Sequence, residues 1–148
     1  MRKKNNIGDE VNEKVIKEIK KLTKLNDLER YAVFMVKVQY IEAQLKGLLI
    51  TECGYTENKV DSMTLGKIIY QLKKNNLNPY FFKLLDELNN YRIDMAHDFL
   101  ITTTIGLQIA GQKARRLFFK PLRNALTQVE IVLQVYYYLR KGHLLIKK

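Results

Sequence analysis

The residue types best suited to proton transfer near neutral pH lie close together at the end of a predicted helix. His97 can gain or lose a proton in this range, because histidine titrates between about pH 5 and 8. Asp94 lies three residues before His97 and Asp98 follows it directly, and both carboxylates favour the protonated imidazole. Arg92 lies five residues before His97 and adds a second cation. This cluster is the candidate for acid–base chemistry.

The spacing within the cluster limits how its members can cooperate. On one α-helix, Arg92 and His97 flank a line of core-facing residues that includes Tyr91 and Met95, and they lie on opposite sides of it. One helix alone would therefore not bring both side chains to the same atom. They could meet across a two-fold axis that packs the helix against its copy. The cluster also fits an ordinary helix end, in which Arg92 pairs with a carboxylate and His97 caps backbone carbonyls.

Other catalytic and metal-binding arrangements are excluded by residue counts and spacing. The chain has one cysteine and two histidines, too few for a zinc site built from those ligands. It contains no His-Glu-x-x-His, Gly-x-Ser-x-Gly or paired Glu-x-x-His motif, and no glycine-rich loop between a strand and a helix. We therefore expect neither a metal nor a cofactor. Cys53 is interpreted as a packing residue and His143 as a solvated one.

The charge of the chain is positive and unevenly distributed. The 148 residues include 26 Lys and Arg against 15 Asp and Glu, which gives a formal net charge of +11. Residues 99–148 contain nine basic side chains and a single acid, Glu130. Such a field favours a polyanionic partner such as RNA, DNA or a membrane surface. A charge that only keeps the protein in solution is the alternative.

Two features of this basic third suit nucleic-acid binding. Its first half supplies the candidate contacts with phosphates: Lys113, Arg115, Arg116, Lys120 and Arg123. Most of them recur at helical spacing opposite the apolar residues, provided that one helix runs through Pro121; a solvated helix face explains the same pattern. Residues 136–138 are three consecutive tyrosines that could stack on bases. Tyr136 falls on the apolar side of the helix, where packing is the better interpretation.

Helices must position these residues, because the apolar pattern is helical nearly throughout. Apolar residues at intervals of three and four define five helices, whose core-facing sides run from Val11 to Leu22, Tyr31 to Leu48, Leu65 to Leu72, Phe81 to Met95 and Phe118 to Leu139. In the second and fourth helices these sides are Tyr31, Phe34, Val38, Ile41, Leu45 and Leu48, and Phe81, Leu84, Leu88, Tyr91 and Met95.

Capping residues predict where the helices begin and end. Asn26 opens the second helix, Gly54 ends it, and Asn78 followed by Pro79 opens the fourth. Residues 55–61 are predicted to be a polar connection, and residues 99–111 a loop or short hairpin. Pro121 indicates either that the last helix starts near residue 120 or that it is kinked there.

The predicted fold is all-α, an up-and-down bundle of about five antiparallel helices in a single domain covering residues 1–148. Residues 1–9 are expected to be disordered. No stretch approaches the roughly 18 apolar residues of a membrane span, and no signal peptide is visible. We therefore expect a cytoplasmic protein that does not enter a membrane.

The segment around Arg92 resembles the HEPN superfamily of small prokaryotic helical proteins. The superfamily's hallmark is an arginine followed four to six residues later by a histidine, often as Arg-Asn-x-x-Ala-His, and Arg92, Ala96 and His97 match that form. Ile93 departs from it, because the residue after the arginine is usually polar. The Thr-Leu-Gly in residues 63–69 and the second helix around residues 41–46 are also similar. The resemblance covers roughly residues 26–140.

The resemblance implies a function and an assembly. HEPN proteins are typically homodimers with the motif at the interface, and many are metal-independent endoribonucleases of toxin–antitoxin or phage-defence systems. By this resemblance, His97 would act as general acid or base on the ribose 2′-hydroxyl, Arg92 would stabilise the phosphorane, and Asp94 would orient His97. RNA and an antitoxin protein would be the partners. The alternatives are a non-catalytic HEPN-like bundle that binds a protein or nucleotide, and a basic nucleic-acid-binding regulator in which Arg92 and His97 are structural.

Overall fold

A computed structural model of the chain describes residues 7–99 and 115–148, with side chains for residues 8–97 and 120–148. In this part the regular structure is helical, and the predicted all-α bundle is confirmed. The six α-helices of the described residues are α1 (Ile7–Lys21), α2 (Asp27–Cys53), α3 (Glu57–Asp61), α4 (Leu65–Lys74), α5 (Pro79–Asp94) and α6 (Arg115–Lys141). A 3₁₀ turn follows α1 at Leu22–Lys24, and a π-helical turn follows α5 at Met95–Phe99.

Helix boundaries follow the predicted caps. The Asn26 side chain accepts a hydrogen bond from the backbone N–H of Glu29 at 2.8 Å, and α2 ends at Gly54 with φ 72°. The Asn78 side chain caps α5 ahead of Pro79. At the N-terminus the prediction needs correction, because α1 begins at Ile7 and residues 7–9 are therefore helical rather than disordered. Residues 1–6, and the loop or hairpin predicted for residues 99–111 beyond residue 99, lie outside the described residues.

The buried residues confirm the predicted core-facing sides of α4 and α6 and differ from the predictions for α2 and α5. Leu65, Ile68, Ile69 and Leu72 are all buried, as are the described members of the predicted α6 face. In α2 the buried residue near the end is Leu49 instead of Leu48, and in α5 it is Leu85 instead of Leu84. A strict alternation of three and four assumes 3.5 residues per turn, whereas an α-helix has 3.6, so the apolar side drifts by about 20° per heptad.

The short helix α3 decides the topology and replaces the predicted polar connection. Lys46 Nζ in α2 donates to the backbone carbonyl of Asp61 at 3.1 Å, so the chain has turned back along α2 by the end of α3. Tyr55 at the end of α2 donates through its hydroxyl to Gln71 near the end of α4 at 2.9 Å. Consecutive helices therefore alternate in direction, as an up-and-down bundle requires, and α4 runs parallel to α2.

Helix α6 is the centre of the bundle. It packs against α1, α2 and α5. Helix α4 packs against α2 and α5. Gln128 Nε2 in α6 donates to the carbonyl of Leu84 at 3.0 Å and Phe81 lies 6.2 Å from Tyr136, so α5 and α6 are antiparallel. No helix within the described ranges combines the length and apolar character needed to cross a membrane.

A buried ion pair joins α2 to α6. Glu130 is 2% exposed and forms a salt bridge with Lys37. Burial lowers the pKa of Lys37, and the nearby Glu18 carboxylate opposes that effect. Because a buried carboxylate is costly unless it is paired, this contact constrains which face of α2 meets α6.

The C-terminal tail closes one end of the bundle. After α6 the chain turns at His143, which has φ 55°, and the Leu144 N–H donates to the Leu139 carbonyl at 2.8 Å. The His143 N–H donates to the Arg140 carbonyl at 3.1 Å, which completes a Schellman motif. The tail then pairs with the α4–α5 connection through a bridge between Leu77 and Ile146.

We predict that Lys37→Met destabilises the fold, because it leaves the Glu130 carboxylate buried without its ammonium partner. The free energy of unfolding should fall by about 3 kcal/mol, the lower end for a buried pair, since Lys37 itself keeps some exposure. Urea denaturation measures this loss. The double variant Lys37→Met/Glu130→Leu should recover most of it, and a double variant as unstable as Lys37→Met would contradict the assignment.

We also predict that His143→Gly stabilises the fold. Glycine removes the steric cost of a side chain in the left-handed conformation, partly offset by its freedom in the unfolded chain, so the gain should be about 0.5–1 kcal/mol. Thermal denaturation measures the effect. His143→Ala is the matched control, because it also removes the imidazole but keeps the Cβ atom, and equal stability of the two variants would refute the explanation.

Candidate functional site

Arg92 lies at the edge of the core-facing side of α5. The buried residues of this helix are Phe81, Leu85, Leu88 and then Met95 in the following turn. Arg92 is four residues after Leu88 and three before Met95, and its side chain is half-buried. Tyr91 is half-buried as well and packs against the core, so Arg92 lies beside the core-facing line, as predicted.

The predicted α4 motif supports this part of α5. Thr64 caps α4 by accepting a hydrogen bond from the Lys67 N–H at 3.4 Å, and Leu65 is fully buried. A Cβ atom at Gly66 would lie 3.2 Å from Asn89 Nδ2, which is closer than side chains normally approach. The missing side chain lets α4 lie close to α5 about one turn before Arg92.

His97 belongs to a different helical geometry from Arg92. The π-helical turn Met95–Phe99 has more residues per turn than an α-helix. It therefore changes the direction of His97 from the one that a continuous α-helix would give. Asp94 and His97 are both exposed, and Asp98 also belongs to the turn. The α-helical neighbour relation predicted between Asp94 and His97 does not apply to a π turn.

The protomer does not join the three predicted catalytic side chains. Arg92 is half-buried, whereas Asp94 and His97 face solvent. Among the residues that the structure describes, no hydrogen bond or ion pair links any two of them. This agrees with the expectation that one helix alone would not bring Arg92 and His97 to the same atom. The described part of a single copy therefore keeps these three side chains apart.

The basic residues lie at the same end of the bundle. Helix α6 runs through Pro121 without a break, so the alternative that it starts near residue 120 is wrong. Lys120 and Arg123 are exposed, whereas Leu122 between them and Ala125 after Arg123 are buried. The two cations therefore lie on the exposed side of the helix, as predicted. Because α5 and α6 are antiparallel, the start of α6 lies beside the end of α5, where Arg92 and His97 are. Arg115 and Arg116 belong to the first turn of α6, and Lys113 lies outside the described residues.

A second group of polar and aromatic side chains lies toward the other end of α6. The hydroxyls of Tyr40 in α2 and Tyr137 in α6 are 2.9 Å apart. Gln44 Oε1 accepts hydrogen bonds from the Tyr136 hydroxyl at 3.2 Å and from Arg140 Nη1 at 3.3 Å. We call these five residues the tyrosine surface. These contacts follow the same order along both helices, so α2 and α6 are parallel here.

Hydrogen bonding and burial raise the pKa values of two of these tyrosines. The hydrogen bond with Tyr40 and partial burial raise the pKa of Tyr137 to about 12. Burial raises the pKa of Tyr136, although the Arg140 guanidinium opposes this. The hydroxyls of Tyr136 and Tyr137 therefore keep their protons beside a permanently charged arginine.

Sequence reasoning found part of this surface. The three consecutive tyrosines pointed to Tyr137, and the packing role suggested for Tyr136 is confirmed by its 5% exposure. Tyr40, Gln44 and Arg140 were missed, because they join only when α2 lies along α6. The available signal was their spacing: Tyr40 and Gln44 are four apart in one helix, and Tyr136 and Arg140 are four apart in the other.

Cys53 and His143 have structural surroundings, because Cys53 packs against the core and His143 lies in a helix cap. Burial, reinforced by Glu52, raises the pKa of the Cys53 thiol, which disfavours the reactive thiolate. His143 serves in the C-terminal cap of α6. The described residues include no group of three side chains that could hold a metal ion.

Comparisons with protein-family models, curated proteins and solved structures give no match to this chain. The functional assignment therefore depends on the residues themselves. Two groups of residues carry it: the Arg92 and His97 end of α5 with the start of α6, and the tyrosine surface.

We predict that Tyr40→Phe lowers the pKa of Tyr137 from about 12 toward 10, because the substitution removes the Tyr40 hydroxyl, whose hydrogen bond raises that pKa. An NMR titration of isotope-labelled tyrosine rings measures this directly. The pKa of Tyr137 is higher in the folded than in the unfolded protein. Wild type should therefore also lose stability as the pH rises from about 10 to about 12, and the variant should lose less. An unchanged pKa of Tyr137 in the variant would disprove the contact.

Proposed function

We propose that the protein is a HEPN-like, metal-independent endoribonuclease that acts as a homodimer. The observation that carries the proposal is the π-helical turn after α5, which sets an exposed His97 just beyond a helix with a half-buried Arg92 beside its core-facing line. Single π turns within helices occur frequently at functional sites. The exposed Lys120 and Arg123 at this end of the bundle add an electrostatic attraction for the phosphates of RNA.

The proposed reaction needs one base, one acid and a group that stabilises negative charge. His97 takes the proton of the ribose 2′-hydroxyl, whose oxygen then attacks the adjacent phosphorus. The bond from phosphorus to the 5′ oxygen breaks, which leaves a 2′,3′-cyclic phosphate and a 5′-hydroxyl that receives a proton. A homodimer supplies two copies of His97, one for each proton transfer. Arg92 stabilises the phosphorane, and Asp94 orients His97.

The proposal includes a substrate class and a biological setting. The reaction uses the 2′-hydroxyl, so RNA is a substrate and DNA is not. By the resemblance to HEPN proteins, the enzyme works in the cytoplasm as a toxin of a toxin–antitoxin or phage-defence system, and an antitoxin protein controls it. The composite site explains why one protomer leaves Arg92 and His97 unjoined.

A non-catalytic HEPN-like role is the second candidate, and one observation favours it. Ile93 replaces the polar residue that usually follows the motif arginine and is 41% exposed. An exposed apolar side chain beside Arg92 suits contact with a protein better than contact with phosphate. Under this alternative the same end of the bundle binds a protein partner, and RNA stays intact.

We predict that the purified protein cuts single-stranded RNA in the presence of EDTA and leaves cyclic phosphate ends. His97→Ala should slow the cleavage by roughly 100-fold or more, because the proton transfer is lost. Arg92→Ala should do the same, and Arg92→Lys should retain part of the activity. Gel electrophoresis of an end-labelled RNA, with analysis of the new ends, measures the rates.

His143→Ala is the matched control, because it removes the other histidine of the chain. It should cut RNA at the wild-type rate, and DNA of the same sequence should stay intact. Circular dichroism must show that the Arg92 variants are folded, since this side chain is half-buried. RNA that wild type leaves intact, or that His97→Ala cuts equally fast, would rule out the nuclease and favour the partner-binding role.

A further inference from the structure

The exposed charges on α6 all have one sign. Glu130 is the only acid in residues 99–148, and it is buried against Lys37. The charged side chains that the structure describes on the surface of this helix are Lys120, Arg123, Arg140 and Lys141. These cations form two groups, one near the start and one near the end of α6, and residues 125–136 between them are buried or half-buried against the neighbouring helices. Each group attracts a polyanion at its own end of the helix, with no exposed carboxylate of the described part of α6 beside it.

Exposed aromatic rings accompany these cations toward the C-terminal end of α6. Tyr40 and Tyr137 are 42% and 45% exposed. Their hydroxyls bond to each other and the Tyr137 ring packs edge-on against Tyr136 with centroids 5.7 Å apart, so both rings are held in place. Arg140 lies over Tyr136, with its guanidinium carbon 5.9 Å from the ring centroid, and it bonds to Gln44. A fixed ring loses little freedom when a ligand stacks on it.

We propose that the tyrosine surface binds unpaired bases of single-stranded RNA, with Arg140 and Lys141 contacting the backbone. The choice of RNA as the ligand rests on the proposed function. The tyrosine surface would give the RNA substrate a second contact, away from the reacting atoms. Stacking on tyrosine and phosphate contacts from arginine together are the usual means of holding single strands. A duplex would offer its phosphates but not its base faces, so this combination selects unpaired RNA.

The position of the surface gives the substrate a minimum length. Tyr137 follows Lys120 by seventeen residues in α6, which is about 25 Å along the helix axis. A strand held at Tyr137 must cover this distance to reach the Arg92 end of the same protomer. Long single strands should therefore bind at both places and short ones at only one.

Binding can be measured without cleavage in the His97→Ala background. The probe is a labelled mixed-sequence oligoribonucleotide of about 12 nucleotides, followed by fluorescence anisotropy. Replacing both rings, in Tyr40→Ala/Tyr137→Ala, should weaken binding roughly 10-fold or more, because base stacking contributes about 1–3 kcal/mol per base. Tyr137→Phe keeps the ring and should bind nearly as wild type does. The matching RNA duplex should bind more weakly than the single strand.

Tyr70→Ala is the matched control. Tyr70 is 54% exposed and has the Lys74 ammonium 4.6 Å from its ring centroid, but it lies on α4. Its loss should leave binding unchanged. Equal affinity of Tyr40→Ala/Tyr137→Ala and the parent protein, or equal binding of duplex and single strand, would overturn the proposal. So would a change in oligomeric state in this double variant without a change in RNA affinity, because the surface would then bind a second copy.

The two proposals fail separately. If wild type cuts RNA but the tyrosine variants bind it normally, the nuclease stands and the tyrosine surface does not. If binding depends on the tyrosines but wild type cuts no RNA, the surface stands and the nuclease does not. Thermal unfolding of the double variant near the wild-type temperature would confirm that lost binding is not lost folding.

Discussion

The contact between Lys37 and Glu130 connects the packing of the bundle to the charge of its surface. A carboxylate that is 2% exposed needs a partner, and the partner on α2 fixes that helix lengthwise along α6. The same contact removes the only acid of the last fifty residues from the surface. The tyrosine surface follows from it, because Tyr40 and Gln44 reach Tyr137 and Arg140 only when α2 runs parallel to α6 in this register.

Local signals were sufficient to predict much of the fold. Asn26 and Gly54 form their capping hydrogen bonds with residues only a few positions away, so the ends of α2 could be predicted from the sequence. The direction of α4 could not, because it depends on α3 and on the contact between Lys46 and Asp61. The pairing of α2 with α6 likewise joins residues more than ninety positions apart, and no single-sequence pattern encodes such a pair.

The candidate site was predicted in its residue types more completely than in its geometry. The spacing of Arg92 and His97 was visible, and so was the position of Arg92 beside the core-facing line. The π turn Met95–Phe99 was not, because helical spacing was read with α-helical geometry up to His97. The exposure of Lys120 and Arg123 was predicted correctly, because exposure alternates with burial within one helix.

The position of Arg92 suits the role that the proposed mechanism gives it. Its guanidinium is half-buried and has lost part of its hydration. An ionic contact with such a group is stronger than one with a fully exposed side chain, because less water screens it. In the proposed site the phosphate of the bound RNA would make that contact, and its negative charge would offset the lost hydration of Arg92.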